Sequence, residues 1–226
     1  MNTVVIVAGG KGERMQTSVP KQFLEMRKKF VSRKKPVLIH TIEMFYRYDN
    51  NISIIVVLPS AQIDYWKGLC KKYHFPVSHQ IVEGGETRFH SVKNGLNLAD
   101  ADSLIAIHDG VRPLVSHETI AHCFENAEKY KAVVPVVDLV DSIRYVDENE
   151  NRTCDRTKHK LVQTPQVFDG SLLKKAYEQE FSPAFTDDAS VVEALGAKIH
   201  LVDGNSENIK ITTAIDLKWA EILIDF

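Results

Sequence analysis

The sequence predicts an α/β protein built on a mostly parallel, doubly wound sheet, and three observations carry that prediction. A β-branched run, Val4-Val5-Ile6-Val7, ends at once in Ala8-Gly9-Gly10-Lys11-Gly12. Short apolar runs then alternate with stretches of helical periodicity, the rhythm of βαβ units. A length of 226 residues suffices for one sizeable α/β domain and is short for two, so a single domain over 1–226 is expected.

The elements follow in order. Val4 to Val7 has no polar interruption, as in a strand buried on both faces. Pro36 to Phe45 carries apolar residues at helical spacing, with proline suited to a first turn. Ile52–Leu58 reads as a strand, Ala61–Tyr73 as a helix and His79–Val82 as a third strand. Thr87–Ala99 is helical, Leu104–Ile107 a buried strand, His117–Tyr130 a helix and Ala132–Val137 a strand. The rhythm breaks over about 138–164. There Ser142–Val146, a polar turn at Asp147–Arg152 and a returning strand at Lys160–Thr164 predict a long protruding hairpin. So polar a hairpin has little core of its own and gains from packing on another chain. Helices near Leu172–Glu180 and Asp187–Leu195, a strand at Lys198–Val202 and a helix from about Ala214 complete a Rossmann-like fold.

Composition excludes several classes. Apolar and charged fractions of 44% and 26% are those of an ordinary soluble protein, and a net charge of −2 offers no general pull toward nucleic acid or anionic membrane. No apolar run approaches the roughly 20 residues of a membrane span, and Met1-Asn2-Thr3 leads into a strand with no signal peptide. The three cysteines, Cys70, Cys123 and Cys154, have no ligand-like spacing and read as reduced thiols of a cytoplasmic protein.

The first loop carries the chemistry. Three glycines in four positions let backbone N–H groups turn inward, a ring of donors suited to phosphate, and Arg14 and Lys21 add two cations. A dinucleotide fingerprint fails because position 15 is Met15 and no acid closes a second strand about 20 residues on. A Walker A loop fails because no Gly-Lys-Ser/Thr follows. Ala8-Gly9-Gly10-Lys11-Gly12-Glu13-Arg14-Met15, followed by Pro20-Lys21-Gln22-Phe23-Leu24, resembles the signature of the sugar-phosphate cytidylyltransferases. The resemblance runs through six separated motifs along nearly the whole chain. It implies a Mg²⁺-dependent transfer of CMP from CTP to a sugar-alcohol phosphate. The implied acceptor is 2-C-methyl-D-erythritol 4-phosphate, with D-ribitol 5-phosphate the nearest rival. A non-catalytic nucleotide-binding protein is a rival of another class, disfavoured by the joint presence of Arg14, Lys21, Asp109 and Lys210.

Four further clusters follow strands, the ligand-binding edge of such sheets. In Gly84-Gly85-Glu86-Thr87-Arg88 with Ser91, paired glycines let a base lie flat on the backbone and Ser91 can meet its edge. The same residues equally suit a glycine turn into a helix capped by Thr87; the resemblance favours cytosine. In His108-Asp109-Gly110-Val111-Arg112-Pro113, Asp109 suits contact with Mg²⁺ or its waters, and Arg112 holds either Asp109 or a phosphate. By resemblance alone, Ser142 and Arg156 bind the acceptor phosphate, Arg156 reaching it from a partner subunit through the dimerising arm. Thr186-Asp187-Asp188 suits a helix cap, and Asn208-Ile209-Lys210 resembles the family segment whose lysine approaches the reacting phosphates. The expected site thus comprises Arg14, Lys21 and Lys210 as catalytic cations. Ala8, Gly9, Gly10, Gly12, Gly85, Glu86, Arg88, Ser91, Asp109 and Gly110 would face the nucleotide. Arg112, Ser142, Arg156, Thr164, Thr186 and Asp187 would face the acceptor. The lengthened basic stretch from Arg27 to Lys35 reads as a solvated loop, or alternatively as a flap that attracts triphosphate.

No general base is required. A phosphate oxygen, with a second pKa of about 6, is largely ionised at neutral pH and is the nucleophile. The obstacle is joining two anions, which fixed cations overcome.

Overall fold

The computed structural model describes residues 1–9, 19–27 and 34–224. β1 (Thr3–Val7) lies mid-sheet, flanked in parallel by β4 (Ser53–Leu58) and β6 (Leu104–Asp109), with Val5 opposite both Ile55 and Ile107. Val4, Val5 and Ile6 are each 0% exposed. Because alternate side chains face opposite ways, Val4 and Ile6 join one core with Leu38, Phe45, Trp66 and Phe124, while Val5 joins another with Phe89, Phe168 and Val192. Each such buried side chain contributes about 1.5–3 kcal/mol by leaving water. This two-sided burial is why the run has no polar alternation.

Helices cover both faces. α1 (Val37–Tyr48), α2 (Ser60–Tyr73) and α4 (His117–Tyr130) pack on the first core. α3 (Arg88–Leu96), α5 (Gly170–Ala176) and α6 (Asp188–Ala194) pack on the second. β5 (Gln80–Glu83) adds in parallel to β4. On the other side β7 (Ala132–Asp138) runs parallel to β12 (His200–Asp203). β2 (Glu25–Met26) and β3 (Lys35–Pro36) form a small antiparallel ribbon, and α7 (Ala214–Leu223) ends the described fold.

Two expectations change. The arm is not one long hairpin pairing Ser142–Val146 with Lys160–Thr164. β8 (Ile143–Val146) pairs with β9 (Asn151–Cys154), whereas β10 (Lys160–Val162) returns to the end of β7, Lys160 opposite Asp138. The tip closes early because Asp147 Oδ1 accepts the N–H groups of Asn149 and Glu150. The arm is therefore two-tiered, and the strand at Asn151 begins where a turn was expected. The second change is β11 (Gln166–Asp169), a strand absent from the sequence reading, which inserts antiparallel between β6 and β7. Its four residues are too few to show periodicity, yet Val167 and Phe168 are fully buried.

Of the basic insert, Arg27, Lys34 and Lys35 are described. The Arg27 N–H donates to Glu221 at 3.2 Å, Lys34 lies 3.9 Å from the same carboxylate, and Lys35 pairs with Glu43 at 2.6 Å. These flanks are tied to α7 and α1; the rest of the proposed flap lies outside the described residues.

Candidate active site

The ends of β1 and β6 converge, Val7 opposite Asp109, at the carboxyl edge of the sheet. Gly110 makes this possible: its N–H donates to Val7 O at 2.9 Å, and a Cβ there would lie 2.8 Å from Ala8 Cβ. Beside them β5 leads through Gly84-Gly85 into α3, where a Cβ on Gly85 would sit 2.4 Å from His90 Cβ. Thr87 caps α3 through the His90 N–H. Lys21 opens a short 3₁₀ turn, Lys21–Phe23, anchored by the buried Gln22. The Gln22 Nε2 donates to Ala8 O at 2.7 Å and to Gln62 Oε1 at 2.6 Å, so the lysine turn and the start of the glycine loop move as one.

Two cavities result. The first, about 300 Å³, is lined by Ala8, Gly9, Lys21, Gly85, Glu86 and Ser91. The second, about 320 Å³, is lined by Arg112, Thr164, Thr186 and Asp187. Arg88, Asp109 and Lys210 belong to both walls. Most of the residues expected at the nucleotide therefore meet in one cavity, and four of those expected at the acceptor meet in the other. Gly110 shapes the first from behind. Gly10, Gly12 and Arg14 lie outside the described residues. Ser142 and Arg156 line neither cavity; they are exposed on the arm, where Arg156 donates to the Val140 carbonyl.

The shared wall is strongly polarised. Asp109 Oδ2 meets Lys210 Nζ at 3.0 Å and Arg112 Nε at 3.2 Å. Burial opposes ionisation of Asp109, but Lys210, Arg88 and Arg112 outweigh it and hold the carboxyl well below the usual carboxylate range. Arg112 also donates to Asn208 O at 2.7 Å, so the two motifs that carry Asp109 and Lys210 are pinned together. Asn208 Nδ2 in turn donates to Thr164 O at 2.8 Å. Thr164 Oγ1 accepts the Asp109 N–H at 3.1 Å and reaches His108 Nδ1 at 3.1 Å. Burial pushes His108 down to about 4, so at neutral pH its imidazole is uncharged, with Nε2 toward Arg112 O at 3.0 Å.

Two of the expected site residues also hold local backbone, Asp187 in the helix-cap role its sequence suits. The Ser91 hydroxyl lines the first cavity, but it accepts the Gly85 N–H at 3.0 Å and donates to Thr87 O at 2.9 Å, fixing the loop on which a base would lie. Asp187 caps α6 through the Ser190 N–H and accepts from Gln166 Nε2 at 2.8 Å. Asp188, Tyr177 and Gln166 were missed. Asp188 and Gln166 stand inside motifs, Thr186-Asp187-Asp188 and Thr164-Pro165-Gln166, whose neighbours draw the assigned roles; Tyr177 carries no signal that isolates it.

A glycine-lined cavity at the strand ends, sharing Arg88, Asp109 and Lys210 with an adjoining cavity, has the arrangement of a nucleotidyltransferase site. The chain belongs to the IspD family, 2-C-methyl-D-erythritol 4-phosphate cytidylyltransferase, whose model matches residues 2–225. A relative of that name from Bacteroides thetaiotaomicron is 56% identical over 222 residues, covering 98% of this chain and 99% of the relative. One from Porphyromonas gingivalis is 46% identical, covering 97% and 96%. The crystal structure of the Thermus thermophilus enzyme of that name superposes with a TM-score of 0.75 at 30% identity over 100% of both chains. The bifunctional IspDF of Campylobacter jejuni superposes with a TM-score of 0.79 at 30% identity over 97% of this chain and 54% of that one.

Proposed function

We propose that the chain transfers CMP from CTP to 2-C-methyl-D-erythritol 4-phosphate, giving 4-diphosphocytidyl-2-C-methyl-D-erythritol and pyrophosphate. One observation carries the reading: the two cavities share Lys210, Asp109 and Arg88, so substrates held in each would meet there. CTP takes the glycine-lined cavity and the sugar-alcohol phosphate takes the other. An acceptor phosphate oxygen bonds to the α-phosphorus as the bond to the β-phosphate oxygen breaks, its electron pair leaving with pyrophosphate. Lys210 draws the two phosphates together and Lys21 faces the departing charge; the sequence motif assigns Arg14, outside the described residues, to the same task.

The residues fit a Mg²⁺ ion held largely by substrate. Among the described residues no group of three or more His, Cys, Asp or Glu side chains forms a metal cage. Mg²⁺ bound through triphosphate needs only one or two carboxylates. Asp109 supplies one, ionised at neutral pH, and both its cationic contacts fall on Oδ2. Bound there, the ion would neutralise triphosphate charge.

The exposed arm supports a homodimer in which Arg156 reaches the partner's acceptor cavity. Among the described residues no helix is long and apolar enough to cross a membrane, and a cytoplasmic location suits the three free cysteines. Pyrophosphate release measured with each of the four NTPs against methylerythritol phosphate, ribitol phosphate and other sugar phosphates tests the reading. CTP with methylerythritol phosphate is expected to turn over best; turnover with ribitol phosphate alone moves the assignment to that acceptor.

A further inference from the structure

Arg88 is the cation with the most elaborate support, and the reaction as described gives that support no task. Its guanidinium forks onto Asp188, NH1 to Oδ1 at 2.9 Å and NH2 to Oδ2 at 2.6 Å. Asp188 is 0% exposed, and its Oδ1 also accepts the hydroxyl of Tyr177, itself 2% exposed, at 2.6 Å. Burial works against charge on Arg88, but Asp188 more than reverses this and locks the guanidinium in its cationic form. Burial and the adjacent Asp188 push the Tyr177 hydroxyl well above its ordinary range, so it stays a donor. The Arg88 side chain nevertheless keeps 31% of its surface exposed, and it lines both cavities.

We propose that Asp188, steadied by Tyr177, is a positioning residue that fixes Arg88 where the nucleotide and acceptor cavities join, so that Arg88 meets both phosphates as they react. The inference rests on the assignment of the two cavities above. Two of the five guanidinium N–H donors are spent on Asp188, and among the described residues the other three meet no acceptor. Released from Asp188, Arg88 would be drawn to Asp109, the acid on the shared wall, where it would compete with Lys210. The tether prevents that collapse. A cation fixed at the junction acts mainly when the two anions approach, so it lowers the barrier more than it tightens either substrate.

The test is a double-mutant cycle on the purified full chain, with CTP and methylerythritol phosphate varied separately and CTP-binding stoichiometry measured by calorimetry. Transfer by the wild type tests the proposed reaction; the variants test the tether. Asp188→Asn keeps the shape but weakens the fork, and should lower kcat about 10²-fold, the scale of a 1 Å misplacement. Both KM values should change less than about 3-fold and binding stoichiometry should stay at wild type, which a partly unfolded sample would not show. In an Arg88→Ala background the same change should cost less than about 2-fold, because its target is gone. Arg88→Lys leaves Asp188 and Tyr177 intact, keeps the charge and loses the fork, so it should reproduce the kcat defect even where Asp188→Asn fails to fold. Full-sized loss from Asp188→Asn in the Arg88→Ala background, or wild-type kcat in Arg88→Lys, overturns the proposal.

Discussion

The cleft and the arm both present cations, but they hold them by different physics. In the cleft, Lys210 and Arg112 share Asp109, 7% exposed, and Arg88 is forked onto Asp188, which is wholly buried. On the arm, Arg144 donates to the Asn151 amide oxygen, Arg152 pairs with exposed Glu150 over the Tyr145 ring, and Arg156 donates to the Val140 carbonyl. Large apolar side chains there stay open, Val140 at 84% and Val146 at 69%. A pair in low dielectric is rigid, because separating it strands a buried charge. Exposed pairs are screened and easily exchanged. The cleft is organised within one chain, whereas the arm leaves apolar surface and charge exposed, as the proposed homodimer requires.

The largest effect should come from breaking the cleft side. Lys210→Ala removes one of the charges common to both cavities, and Lys21→Ala removes the one held by the Gln22-anchored turn. Each is expected to lower kcat by on the order of 10²–10³, comparable to deleting one preorganised donor elsewhere, and Arg14→Ala should fall in the same range. Single-turnover pyrophosphate release reads this directly. Turnover within a few-fold of wild type in Lys21→Ala or Lys210→Ala would show that the convergence of these groups is incidental.

The arm side is sharpened by mixing. Arg156→Ala alone should raise the acceptor KM about 10–10²-fold, the range for losing a charge-assisted hydrogen bond. Lys21→Ala and Arg156→Ala chains, each impaired, should then restore activity when mixed. If the arm serves the partner's cleft, each mixed dimer contains one site with both residues intact, so equal mixing recovers roughly a quarter of wild-type sites. If the arm served its own cleft, every site would keep a lesion and mixing would recover nothing.

Legibility in the sequence divides along the same line. β1, β4, β6 and their helices were plain because two-sided burial leaves uninterrupted apolar runs, and Gly85 and Gly110 stand in the recognised motifs, where a Cβ would crowd His90 Cβ and Ala8 Cβ. β11 was not, because Gln166–Asp169 earns its place by filling a gap between β6 and β7, a tertiary fact without local period. The arm's register was lost for a similar reason: the Asp147 turn fixes it, and alternation there is too polar to set a face. In the site, motif residues that line the cavities are legible, whereas Asp188 and Tyr177, which hold Arg88, are not. Tyr177 meets Asp188 across 11 positions and Arg88 meets it across 100, separations no spacing rule spans.

The smallest effect concerns what lies behind the Lys21 turn, where rigidity is neutral rather than ionic. Phe23 stacks on Trp66 with centroids 6.1 Å apart, and the Trp66 Nε1–H donates to His79 Nε2 at 3.0 Å. His79 Nδ1 faces Val77 O at 2.8 Å, which fixes the neutral tautomer with its proton on Nδ1. Burial lowers the His79 pKa below its ordinary 6.5, with the Val77 contact opposing. The unfolded chain therefore takes up the proton first, and stability present above pH 6.5 is lost as pH falls below it. Protonation would also set two N–H groups face to face at Trp66. His79→Gln can still accept from Trp66 and does not titrate, so its melting temperature should fall less than that of wild type between pH 7.5 and 5.5, by about 1–2 °C. Scanning calorimetry with Trp66 fluorescence decides it. Parallel pH profiles for the two proteins would mean that the cleft's support tolerates a charge there, and that only its ion pairs distinguish it from the arm.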